Sequence, residues 1–71
     1  MTNTTLLEEY IKRSGYKKKF LIESLGISRY GFVLKCSNKA EFKASEIDIL
    51  CNLLKISNKD RMAIFFANKV D

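Results

Sequence analysis

The residues that could do chemistry in this chain are mostly cations. Thirteen Lys and Arg stand against eight Asp and Glu, and there is no His. Without an imidazole, without a glycine-rich phosphate loop and without a carboxylate pair in an evident cleft, no enzyme is expected. Cys36 and Cys51 have fourteen residues between them, which is not the spacing of a zinc site. Two cysteines with no secretory signal do not make a disulfide framework either. They read as reduced, buried thiols of a cytoplasmic protein. No cofactor, metal or small-molecule site is suggested.

The remaining chemistry is charge, and its placement matters more than its total. Residues 1–15 balance to zero, and so do residues 44–71. Residues 16–43 carry Lys17, Lys18, Lys19, Arg29, Lys35, Lys39 and Lys43 against only Glu23 and Glu41, so the whole net charge of +5 lies there. A localised basic surface suits a polyanion, nucleic acid first and an anionic membrane second. The competing explanation is a face that merely keeps the protein soluble. No apolar run approaches the ~20 residues that span a bilayer. The nearest thing to a membrane-surface helix, around Phe20 to Leu25, needs its apolar residues for the core, so no membrane partner is expected. RNA is disfavoured because the aromatic residues do not form the sheet platform of single-strand readers.

Short helices must position these charges. With no Pro, three Gly and 46% apolar residues, the composition is that of a compact helical domain. Thr5 and Glu8 have capping-box spacing and open the pattern Leu6, Leu7, Tyr10, Ile11, predicting a helix over about 4–14 that Gly15 closes. A second helix is predicted from Lys17 to Leu25 and a third, capped by Ser28, to about Cys36. Residues 37–42 read as a loop. A fourth helix carries Ile47, Leu50, Cys51 and Leu54, with Ser45 and Asp48 at capping-box spacing, and a fifth opens at Ser57. FFANKVD at the end has a weak extended character.

The expected architecture is all-α, one domain over 1–71, a compact bundle of about five short helices. Its core should draw on Leu7, Ile11, Phe20, Leu21, Leu25, Phe32, Ile47, Leu50, Leu54 and Phe65. At roughly 1.5–3 kcal/mol per fully buried large side chain, that suffices for a marginally stable fold. Ile64, Phe65, Phe66 and Val70 crowd the last eight residues. Two roles are open to them: closing the bundle against the first helix, or forming a two-fold homodimer interface.

Gly26 to Ser28 join helices two and three in three residues, a link short enough to force a steep crossing. The stretch KKFLIESLGISRYGFVLKCS, Lys18 to Ser37, resembles the helix-turn-helix of phage Cro and repressor proteins. IKRSGYKKK before it, KAEFKASEIDILCNLLKIS after it and IFF near the end extend the resemblance over roughly 6–66. The last of these is similar to small regulators of phages that infect Gram-positive bacteria. The resemblance implies a lambda-repressor-like fold with its helix-turn-helix unit at about 17–37. It also implies a recognition helix over about 28–36, presenting Ser28, Arg29, Tyr30, Val33 and, less characteristically, Leu34 to base edges of double-stranded DNA. The start of helix two, Lys17 to Lys19, would lie at the phosphates. Three residues depart from the family pattern: Ile22 where a small residue is usual, Gly31 inside the recognition helix, and Leu34 where a polar side chain usually faces DNA.

Each candidate also has a plainer role. Arg29 has the geometry for a bidentate contact to guanine, or else lies on a phosphate or in solvent. Tyr30 has stacking, phosphate and thymine-methyl contacts open to it, or is a half-buried surface aromatic. Val33 can touch only a thymine methyl, and packing is its alternative, as it is for Leu34. Lys17, Lys18, Lys19, Lys35, Lys39 and Lys43 form the expected phosphate-binding set, each worth close to one unit of log–log salt slope. Val33 and Leu34 would equally suit a protein-interaction module, an antirepressor or adaptor that keeps the fold without reading DNA.

Overall fold

The computed structural model describes residues 1–66, and every regular element among them is an α-helix. The order is α1 (Thr4–Ser14), α2 (Lys18–Leu25), α3 (Arg29–Cys36), α4 (Ala44–Leu54) and α5 (Asn58–Phe65). The expectation of an extended tail, and Val70 with it, falls outside the described residues. α4 is the packing centre: α1 and α2 lie against it, α5 lies against α1, and α3 lies against α2. The radius of gyration is 11.2 Å, against about 11 Å for a close-packed chain of this length.

Local chemistry sets the helix ends. α1 starts from Asn3 rather than Thr5, because the Asn3 side chain accepts the Leu6 N–H at 3.2 Å. Asn, Thr and Thr follow one another there, and the first of them in extended conformation takes the cap. α4 starts at Ala44, within the residue or two ahead of Ser45 that the sequence leaves open. Its N-cap is Lys43, whose backbone N–H donates to Glu46 Oε1 at 2.8 Å. Ser28 and Ser57 cap α3 and α5 as expected, accepting from Gly31 N at 2.9 Å and Asp60 N at 3.1 Å.

Leu7, Leu21, Leu50 and Ile64 are fully enclosed at the centre. Phe20 is the one expected core residue that is not there: it is 43% exposed and stacks on Tyr16 with ring centroids 4.9 Å apart. On a helix of eight residues the buried stripe is Leu21 and Leu25, four apart, and the side chain before Leu21 points off that stripe. The aromatic filling comes instead from Phe42, which meets Phe65 edge-on at 5.6 Å and Phe32 at 6.5 Å. Phe42 thus links α3 to α5 across the core. Ile64 and Phe65 are buried, and Asn3 N donates to Ile64 O at 2.6 Å, so α5 closes the bundle against the start of α1. Phe65 is therefore unavailable to a second copy, while Phe66 is half-buried. No helix among the described residues is long and apolar enough to cross a membrane.

Candidate nucleic-acid interface

The turn between α2 and α3 is built from backbone hydrogen bonds. Gly26 is left-handed (φ 71°, ψ 28°), its N–H donates to Glu23 O at 3.1 Å, and Ile27 N–H donates to Ile22 O at 3.4 Å. That pair of bonds is a Schellman closure, and it places Ile22 and Ile27 as its apolar clasp. Both are half-buried against the core, so the large Ile22 is absorbed by the turn. Two residues later Ser28 caps α3, so the chain passes from α2 to α3 within Gly26, Ile27 and Ser28.

On α3, Phe32 points inward and is 3% exposed. Arg29, Tyr30 and Val33 therefore share the outward face, one and four residues apart, with Ser28 exposed at the helix start. Tyr30 is 72% exposed and Val33 53%. Leu34, four residues after Tyr30, is half-buried. Gly31 sits under the cap: a Cβ there would lie 3.2 Å from Ser28 Oγ.

The six expected phosphate-binding lysines divide. Lys17, Lys19, Lys39 and Lys43 are exposed and make no ion pair with another of the described residues, and neither does Arg29. Lys18 is also exposed but pairs with Glu8 of α1 at 3.1 Å. Lys35 is a correction. Its Nζ donates to both oxygens of Glu46 at 2.6 and 2.7 Å, with the two side chains only 13% and 6% exposed. It is spent inside the protein, because α4 brings a carboxylate under the end of α3 that nothing near Lys35 in sequence announces.

Burial pushes the Glu46 carboxyl up, but hydrogen bonds from Lys35 and the Lys43 N–H, with the charges of both lysines, outweigh it and hold the group below its ordinary value. Away from this region both described arginines are engaged: Arg61 lies 2.6 Å from Asp48, and Arg13 lies over the Tyr10 ring at 4.7 Å. Tyr10 in turn donates to Asp60, which raises its pKa; burial and the Asp60 charge add to that. No group of three or more His, Cys, Asp or Glu able to hold a metal occurs among the described residues. Sequence reasoning missed Glu46, the residue that fixes Lys35; its only trace was a Glu at capping distance from Lys43.

No known family, curated protein or solved structure matches the chain. The site is read from its own geometry.

Proposed function

We propose that this chain is a sequence-specific, double-stranded-DNA-binding transcription regulator of the phage Cro/repressor type. In this reading α2 and α3 form a helix-turn-helix, and α3 enters the major groove. The observation that carries it is the outward face of α3, where Arg29, Tyr30 and Val33 stand exposed, in a segment whose exposed Lys17, Lys19, Lys39 and Lys43 have no ion pair among the described residues. Arg29 reads guanine edges, Tyr30 and Val33 contact thymine methyls or sugar, and Lys17, Lys19, Lys39 and Lys43 hold phosphates. Phosphate contacts set register, and base contacts set sequence.

The test is selection of bound duplexes from a randomised library at near-physiological salt, followed by sequencing. An enriched motif that is lost on joint Arg29→Ala and Tyr30→Ala substitution is the expected result. A two-fold motif with half-sites one helical turn apart, about ten base pairs, identifies a dimer on DNA. Failure to retain any duplex refutes the reading. The exposure of Tyr30 and Val33 also favours a second reading, an antirepressor or adaptor that binds protein through the same face.

A further inference from the structure

We propose that Lys35 and Glu46 are positioning residues, whose buried ion pair sets the angle at which α3 presents Arg29, Tyr30 and Val33. This rests on α3 being the DNA-reading helix. The pair lies at the C-terminal end of α3, and it is not alone there. Thr4 Oγ1 donates to Cys36 O at 2.5 Å. Asn38, in the left-handed region at φ 66°, closes the helix with backbone bonds from Asn38 N to Lys35 O at 3.3 Å and from Lys39 N to Leu34 O at 2.8 Å. Its side chain then accepts from Thr2 N at 2.6 Å and donates to Thr2 O at 3.0 Å. The far end of α3 is therefore tied to α4 and to the segment before α1. At its reading end, polar side-chain bonds among the described residues are limited to its own Ser28 cap.

Polar side-chain ties hold the far end of α3, while its reading end is held by the α2–α3 turn and the buried Phe32. Eight residues make the helix about 12 Å long, so a swing of about 10° at the tied end moves the first turn by about 2 Å. A shift of that size breaks base-edge hydrogen bonds, which tolerate only a few tenths of an ångström.

Stability does not by itself account for the ion pair. Burying two charges costs desolvation that their attraction roughly returns, and an apolar pair of equal volume commonly serves as well. A two-pronged ammonium–carboxylate contact supplies direction instead. Glu46 is suited to it, since the Lys43 N–H holds the same Oε1 at 2.8 Å and fixes the carboxylate to the start of α4.

Three variants, Glu46→Gln, Lys35→Arg and the apolar double Lys35→Met/Glu46→Leu, test this through two readouts. One is amide hydrogen exchange of free protein. The other is the ratio of specific to non-specific duplex affinity with its salt slope. Glu46→Gln and the double are expected to exchange faster at 29–36 than at α1 and α5, and to lose about tenfold in the affinity ratio with the salt slope unchanged. Lys35→Arg, which can still take both carboxylate oxygens, keeps the ratio within about twofold. Should the apolar double keep both the parental exchange pattern and the parental ratio, the pair positions nothing. A double whose salt slope falls by about one, with exchange unchanged, makes Lys35 a phosphate ligand and overturns the proposal. If the parent binds no duplex, the DNA reading fails, while exchange at 29–36 still decides whether the pair holds α3.

Discussion

At the scale of single residues, the side chains of ordinarily high reactivity are subdued. Burial, with a smaller contribution from Glu8 and some opposition from Lys18, pushes the Cys36 thiol up to about 11. Burial also raises Cys51. At pH 8 the Cys36 thiolate is then on the order of one part in a thousand. Cys51 is buried as expected, but Cys36 is only half-buried. Iodoacetamide is expected to label Cys36 slowly and Cys51 more slowly still in the native protein, and both rapidly in urea; rapid native labelling of Cys36 contradicts its raised pKa. Gly31 makes a second residue-scale case. Alanine in place of glycine inside a helix gains about 1 kcal/mol, but its methyl would crowd Ser28 Oγ at 3.2 Å and displace the cap. Losing that cap costs about 1 kcal/mol. Thus Gly31→Ala should leave urea stability nearly unchanged in the parent, yet stabilise by about 1 kcal/mol in a Ser28→Ala background. Equal effects in the two backgrounds would show that cap and glycine are independent.

At the scale of elements, the left-handed helix ends make opposite predictions from one geometry. Gly26 has φ 71°, and a Cβ there meets nothing within 4 Å, so only backbone strain opposes Gly26→Ala. A cost of about 1–2 kcal/mol is expected in urea unfolding. Lys55 ends α4 at φ 57° while carrying a side chain. Lys55→Gly relieves that strain, less the added freedom of the unfolded chain, for a gain of about 0.5–1 kcal/mol. A loss on Lys55→Gly would mean that its stem packs usefully, despite its exposure.

The same elements show what could be read in advance. Helical spacing in Leu7/Ile11 and Ile47/Leu50/Cys51/Leu54, with Gly15 and Gly26 as stops and Ser28 and Ser57 as caps, was enough to place α1 to α5. The outward placing of Arg29, Tyr30 and Val33 came from the resemblance to a helix-turn-helix; all three are exposed, with Phe32 buried beside them. Phe42 was not legible, because a loop has no period to betray a buried side chain. Phe20, Leu21 and Ile22 in succession span more than one face, and sequence does not say which of them loses. Lys35 looked like its neighbours in charge. Only the packing of α4 under α3 brings Glu46, eleven residues away, to meet it.

At the scale of the whole molecule, function depends on where uncompensated charge remains after folding. Lys35, Lys18 and Arg61 are paired, which leaves Lys17, Lys19, Arg29, Lys39 and Lys43 as the cations of the basic middle segment without an ion pair among the described residues. If Arg29 goes to a base and each lysine to one phosphate, four condensed counterions leave the duplex per protomer. The log–log salt slope is then about −4, and affinity falls on the order of 10² between about 50 and 200 mM salt. Lys39→Ala should reduce the slope by about one. Lys59→Ala on α5, exposed but outside that segment, should leave it unchanged. A titration series on one duplex separates these outcomes. Equal effects at Lys39 and Lys59 would mean that the duplex sees a diffuse positive protein, with α3 given no privileged orientation. A slope near zero would remove the phosphates from the interface altogether and shift attention to the apolar part of the α3 face, Tyr30 and Val33, as a surface for another protein.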